Sequence, residues 1–181
     1  MVFPGIIQAI AKSCLEGTDL EPTERERFEK SVLPHLDGAY TLARYLTRND
    51  ADAQDIVQDA SLRALKYFDG FRGSPGPDAR AWFLAIVRNA VYTWRQRQGN
   101  NGRSTEFNEE LHSDDVTHDP AAGVDLRAAL EALPLEFREV IVLRELEGLS
   151  YKEISDVTGV PVGTVMSRLS RARKRLQEAL R

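Results

Sequence analysis

A short segment near the end of the chain, SYKEISDVTGVPVGTV, contains the signals for two helices joined by a tight turn. Ser150 can cap a helix, and Glu153 lies three residues later, where its side chain can bond back to the N–H of the cap. Gly159 ends that helix, because glycine readily takes the left-handed conformation of a helix end. Pro161 suits the first turn of the next helix, where its missing N–H costs nothing. The segment therefore predicts a helix over 151–157 followed by a second helix, which together form a helix-turn-helix.

The second of these helices is strongly basic on its polar side. From Pro161 to Arg181 the sequence has six basic residues against one acidic residue, Glu178. In a helix-turn-helix the start of the second helix enters the major groove of DNA, where arginine binds guanine and serine or threonine binds several base edges. Helical spacing places four such side chains on one face: Thr164, Ser167, Arg168 and Arg171. The alternative is a solvated basic face on an ordinary helical hairpin.

The other side of this helix is apolar, and its last turns carry further cations. Residues at mostly helical spacing are predicted to pack inward: Val162, Val165, Leu169, Leu176 and Leu180. Arg173, Lys174 and Arg175 lie beyond the predicted base readers and suit phosphates, which add affinity without sequence information. The sequence thus predicts a DNA-binding helix seated on a small apolar core.

The composition excludes several classes of protein. The single cysteine among 181 residues excludes an internal disulfide, and the three histidines are dispersed, so that no zinc site is expected. No apolar run is long enough for a membrane span, and the first 23 residues do not resemble a signal peptide, so we expect a cytoplasmic protein without membrane insertion. The net charge of −4 does not contradict DNA binding, because residues 99–123 alone carry −5.

Residues 99–123 are rich in Gly, Asn, Ser and Asp and have almost no apolar periodicity, which is typical of a flexible linker. They divide the chain into a helical domain at 24–98 and a second one at 124–181, with an N-terminal extension at 1–23. No strand-like alternation persists, so the fold class is all-α with two small domains.

In the first domain, helical stripes run from Phe28 to Leu46 and from Ile56 to Phe68, and a third helix is expected over 78–98. Asn49 or Asp50 is expected to cap the second of these helices, and the segment DGFRGSPGP after it is expected to be a loop.

Two segments together resemble the extracytoplasmic-function (ECF) group of the bacterial sigma-70 family of RNA polymerase initiation factors. Residues 51–98, from ADAQDIVQDA to the tryptophan-bearing helix AWFLAIVRNAVYTWRQRQ, are similar to sigma domain 2, and residues 126–181 are similar to sigma domain 4. The two similarities stand in the family's order about a short acidic linker. Met166 and Ser170 depart from residues that ECF relatives can carry, so the preferred −35 sequence stays open.

The resemblance implies a role for each matching region. The face that docks on the β′ clamp helices of core RNA polymerase would consist of Asp52, Asp55, Gln58, Asp59 and Arg63. The loop over 68–78 would hold a flipped base of the −10 element, and the −10 contacts would be Phe71, Arg72, Arg80, Trp82, Arg88, Asn89, Tyr92 and Arg95. The −35 contacts would be Thr164, Ser167, Arg168 and Arg171, with Arg144, Lys152, Arg173 and Lys174 near the backbone. The β flap and an anti-sigma factor would be further partners.

The resemblance therefore predicts a sigma factor that directs promoter-specific initiation and is held inactive by an anti-sigma factor. We expect no enzyme, no cofactor and no metal, because the sequence has no nucleophile–base arrangement, metal-ligand spacing or phosphate-binding loop. Two alternatives remain open. One is a stand-alone helix-turn-helix regulator, and the other is a sigma-like decoy that binds a partner without starting transcription.

Overall fold

The computed structural model describes residues 22–101 and 126–181, and every regular element within these two ranges is helical, as predicted. The first range contains the helices α1 (Pro22–Val32), α2 (Leu36–Thr47), α3 (Asp50–Tyr67) and α4 (Pro77–Asn101). The second range contains α5 (Leu126–Ala132), α6 (Leu135–Ile141), α7 (Tyr151–Thr158) and α8 (Val162–Ala179), with a π-helical turn over Val142–Leu146. Most of the predicted N-terminal extension and of the predicted linker lies outside the described residues.

The core of the first domain forms along the predicted apolar stripes. The buried side chains of these stripes include Phe28, Val32, Leu36, Ala43, Leu46, Ile56, Val57, Ala60, Ala64 and Phe68. Asn49 caps α3, since its side chain accepts hydrogen bonds from the N–H groups of Ala51 and Asp52 at 2.8 and 3.1 Å. Helix α4 continues three residues past the predicted end at Gln98, so the first residues of the predicted linker are helical.

The helix-turn-helix forms from the local signals of the sequence. Ser150 Oγ accepts a hydrogen bond from the N–H of Glu153 at 3.2 Å, and the Glu153 carboxylate accepts one from the N–H of Ser150 at 2.7 Å, which completes the capping box. Gly159 ends α7 at a φ of 71°. Pro161 stands at the N-cap of α8 rather than in its first turn, because its ψ of 148° is extended.

The apolar side of α8 differs from the prediction at both ends. Val165 and Leu169 are buried and Leu176 is half-buried, as predicted. Val162 and Leu180, however, are 40% and 38% exposed, since Val162 is the first residue of the helix and Leu180 follows its last one. Ala172 completes the buried face.

The two domains pack against each other and share one continuous apolar core. Helix α4 of the first domain lies against α7 of the second, and α2 lies against α6. The boundary between them, which we call the junction, also contains charged side chains from both domains. No helix in the described ranges is both long and apolar enough to cross a bilayer.

Candidate nucleic-acid and polymerase interface

The predicted −35 readers lie along one side of α8. Ser167 and Arg171 are exposed, and Thr164 and Arg168 are half-buried. The Ser167 hydroxyl donates a hydrogen bond to the Thr164 carbonyl at 2.9 Å, and rotation about its C–O bond frees it for another acceptor. The first ten residues of α8 therefore carry two hydroxyls and two guanidinium groups along one side of the helix.

The four predicted backbone contacts of this domain have different surroundings. Arg144 donates to the Leu149 carbonyl at 2.7 Å and lies 4.9 Å from the centre of the Tyr151 ring, so it already supports the turn before α7. Arg173 is hydrogen-bonded to Glu145 at 2.6 Å, and this bond raises the pKa of its guanidinium. Lys152 and Lys174 are exposed. The two lysines are therefore the cations in this set that are most accessible to a phosphate.

The predicted −10 loop rests on an aromatic cluster. Phe71 is only 7% exposed, and its ring centre lies 4.7 Å from that of Trp82 and 5.9 Å from that of Phe68. The Arg27 guanidinium donates to the Phe71 carbonyl at 2.6 Å. Gly73 passes so close to the Phe71 ring that an added Cβ would lie 2.6 Å from it, so the loop requires glycine there. Phe71 thus holds the loop from inside, with Trp82 half-buried beside it.

The surrounding −10 candidates divide into two groups. Arg72, Asn89 and Arg95 are exposed to solvent. Arg80, Arg88 and Tyr92 instead face the second domain across the junction. The Arg80 guanidinium donates to the Glu147 carbonyl and lies 3.4 Å from the Glu147 carboxylate.

The most buried charge of the junction is Glu139 of α6, whose side chain is fully inaccessible. Arg88 Nε donates to Glu139 Oε1 at 2.7 Å, and the Tyr92 hydroxyl donates to Oε2 at 3.4 Å. The Arg88 guanidinium also lies 4.2 Å from the centre of the Tyr92 ring. Two of the predicted −10 contacts are therefore bound to one carboxylate of the other domain.

The electrostatics of this group follow from its burial. Burial raises the pKa of the Glu139 carboxyl, and the neighbouring Arg88 and Arg168 offset part of that rise. Burial, together with the Glu139 charge, raises the pKa of Tyr92 to about 12. Arg168, a predicted −35 reader, thus lies within electrostatic range of the same carboxylate.

Arg138, the residue before Glu139, is a second buried charge at the junction. It is 2% exposed, donates to the Tyr45 carbonyl at 3.0 Å and to the Leu133 carbonyl at 2.5 Å, and so ties α6 to the end of α2. Burial, and then the nearby charges of Arg48 and Arg95, lower its pKa to about 10. Sequence reasoning missed both Arg138 and Glu139. The signal was present, because they interrupt the apolar run FREVIVL at positions that helical spacing places inside.

The predicted polymerase face lies on the outer side of α3. Asp55, Gln58 and Asp59 are exposed, Asp52 and Arg63 are half-buried, and Arg63 pairs with Asp59 at 2.7 Å. The sequence reading missed two apolar side chains of the same helix, Leu62 and Tyr67, which are 48% and 59% exposed. The outer surface of α3 thus combines acidic and apolar groups, which suits a protein partner.

Among the described residues, no group of histidine, cysteine and carboxylate side chains is arranged to hold a metal ion.

Comparisons with known proteins agree with this arrangement. Residues 32–101 match the family model for sigma-70 region 2, and residues 123–176 match the model for sigma-70 region 4. The chain is 34% identical over 160 residues to the ECF RNA polymerase sigma factor SigE of Mycolicibacterium smegmatis, which covers 84% of this chain and 61% of that protein. It is 34% identical over 155 residues to the ECF sigma factor EcfG of Rhodopseudomonas palustris, which covers 82% of each chain.

A solved structure has the same fold. The sigma factor RpoE of Bartonella quintana, in a co-crystal structure with the anti-sigma factor NepR, superposes with a TM-score of 0.67 at 30% identity, covering 84% of this chain and 96% of that one. The chain therefore belongs to the ECF group of the sigma-70 family of RNA polymerase sigma factors.

Proposed function

We propose that this chain binds core RNA polymerase and directs it to promoters by contacting a −10 and a −35 element. The observation that carries this proposal is the presence, in one chain, of a region-2 domain with an exposed α3 face and a region-4 domain with an exposed recognition helix. Within this proposal, residues 24–98 form the −10 and polymerase domain, 99–123 the linker and 124–181 the −35 domain.

In the −35 domain, the side chains at the start of α8 read bases. Arg171 is exposed on the reading side and can form a bidentate pair with a guanine, while Ser167 supplies a hydroxyl one turn earlier. Lys152 and Lys174, which are both exposed, hold phosphates and set the register of the helix in the groove.

In the −10 domain, an unpaired base enters beside the loop that Phe71 and Trp82 support from below. Arg72 lies on this loop, and Asn89 and Arg95 lie along α4. All three side chains are exposed, so they can contact the single-stranded DNA without any movement of the two domains. Arg80, Arg88 and Tyr92 join them once the junction opens.

The acidic and apolar surface of α3 is proposed to dock on the polymerase. Asp55 and Asp59 supply carboxylates for basic partners, and the exposed Leu62 and Tyr67 supply apolar area at the same surface. The β flap would bind the −35 domain. The chain acts by binding rather than by catalysis, in the cytoplasm, where polymerase and chromosomal DNA are.

An anti-sigma factor is proposed as a further partner. The structure of the Bartonella quintana sigma factor RpoE contains the anti-sigma factor NepR, and this chain shares its fold at 30% identity. A protein that covers the α3 surface would keep the chain from polymerase without altering its DNA-binding helix. Purification of the tagged chain from its host tests this point, since such a partner should co-purify in the absence of the inducing signal.

Run-off transcription tests the proposed function as a whole. Purified core polymerase is mixed with this chain and a library of promoter fragments, and the start sites are sequenced. Promoter-specific starts that require the chain support the proposal. Operator-like DNA binding without polymerase, and no new starts with it, would identify a stand-alone regulator. Polymerase binding without any start would identify a decoy.

A further inference from the structure

We propose that the junction is self-inhibitory, with Glu139 of the second domain holding Arg88 and Tyr92 in the place of promoter DNA. This inference rests on the proposed function, because it assigns a regulatory state to the same DNA-binding side chains. In the closed state that the structure describes, the carboxylate stands in for a phosphate of the −10 strand.

The contact geometry prevents Arg88 from binding Glu139 and promoter DNA at the same time. Its side chain is only 18% exposed, and Nε is already bonded to Glu139 Oε1 at 2.7 Å. Tyr92 is held from the same side by Oε2. A DNA phosphate cannot take the place of the Glu139 carboxylate while these bonds last, so binding through Arg88 and Tyr92 requires the contact to Glu139 to break.

A second contact closes the junction near the start of α4. Arg80 donates to the Glu147 carbonyl and faces its carboxylate, which lies against Gly38 of α2. An added Cβ at Gly38 would overlap the Glu147 carboxylate, so a side chain there would displace this carboxylate from its present position beside Arg80. Arg80 near the start of α4 and Arg88 and Tyr92 in its middle are thus bound to acidic residues of the −35 domain.

The closed state also brings the −35 helix within electrostatic range of Glu139. The charge of Arg168 acts on Glu139 and Tyr92, so residues of both predicted reading surfaces lie near the junction. The ion pair is desolvated, and the cost of burying two charges cancels much of their attraction. Such an ion pair fixes how the two domains fit together but adds little stability. A partner that binds only the separated domains can therefore open the junction readily.

The test compares three full-length variants. Glu139→Gln removes the charge with little change in shape. Gly38→Leu places a bulky side chain of high helix propensity where Glu147 now lies, without altering any proposed DNA contact. Glu136→Gln is the matched control, because it makes the same charge change on the same helix, away from the junction contacts. Small-angle X-ray scattering reports the separation of the domains, and a fluorescent single-stranded −10 oligonucleotide reports binding by the chain alone.

We expect Glu139→Gln and Gly38→Leu to increase the radius of gyration and to strengthen oligonucleotide binding by about fivefold or more, while Glu136→Gln behaves as the wild type. If Glu139→Gln loses helical content in circular dichroism, Gly38→Leu decides alone. Unchanged scattering and binding in a folded variant, with wild-type protein active in run-off transcription, refute self-inhibition and leave the proposed function intact. If the wild type and the variants neither bind the oligonucleotide nor support promoter-specific starts with core polymerase, the proposed function fails and the inference with it.

Discussion

Replacing Phe71 by alanine tests whether this side chain supports the −10 loop from inside. The ring is 7% exposed and lies between Phe68 and Trp82, at centre distances of 5.9 and 4.7 Å. Truncation of a buried phenylalanine costs about 3–5 kcal/mol, and we expect the lower end, about 3 kcal/mol, because the loop can partly collapse onto the vacated space. Phe71→Leu keeps most of the volume and should cost about 1 kcal/mol.

Urea unfolding of the full chain measures these costs. Tryptophan fluorescence is a suitable signal, since Trp82 contacts the substituted ring. Arg72→Ala is the control for stability, because its side chain is exposed and its loss should change the unfolding free energy by less than about 0.5 kcal/mol. An unfolding free energy of Phe71→Ala within that same margin of the wild type would refute the supporting role.

The same variants separate support of the loop from direct contact with a base. If Phe71 acts from inside, Phe71→Leu retains −10 recognition at near wild-type stability, whereas Arg72→Ala weakens it without unfolding the domain. Loss of −10 recognition in a stable Phe71→Leu variant would instead mean that the aromatic ring leaves the cluster and stacks on the base.

Two further predictions concern the second domain. Ser150→Ala removes one half of the capping box and should lower the unfolding free energy of the second domain by about 1 kcal/mol in urea titrations, and an unchanged midpoint would contradict the role of the cap. Arg171→Ala should weaken binding to the −35 element by about 1–3 kcal/mol in competition assays, whereas an equal loss on random duplexes would identify a phosphate contact.

The helix-turn-helix could be predicted because its signals are local. Ser150, Glu153 and Gly159 lie within ten consecutive residues, so a single stretch of sequence specifies the cap, the helix and its end. The apolar stripes of α1 to α3 follow from helical spacing in the same way. The predicted end of α4 is three residues too early, since polar residues without a cap give no clear stop signal.

The junction could not be predicted, because its contacts join residues far apart in the chain. Arg88 and Glu139 are 51 positions apart, and nothing near either residue indicates the other. The burial of Phe71 has a similar cause, since a phenylalanine in a glycine-rich loop looks accessible until Phe68 and Trp82 are placed around it. Arg138 and Glu139 do interrupt an apolar helical run. This pattern indicates that buried charges need partners, but it does not say which residues those partners are.

Chemical footprinting of an open complex tests whether this chain supplies both promoter contacts. Core polymerase and this chain are bound to a promoter selected by run-off transcription, and permanganate reactivity is read alongside nuclease protection. We expect reactive thymines in the −10 element together with protection of a separate −35 element, and both signals should depend on the chain. Protection of a single upstream element without any melting would show instead that the α8 helix acts alone and that the chain is not a sigma factor.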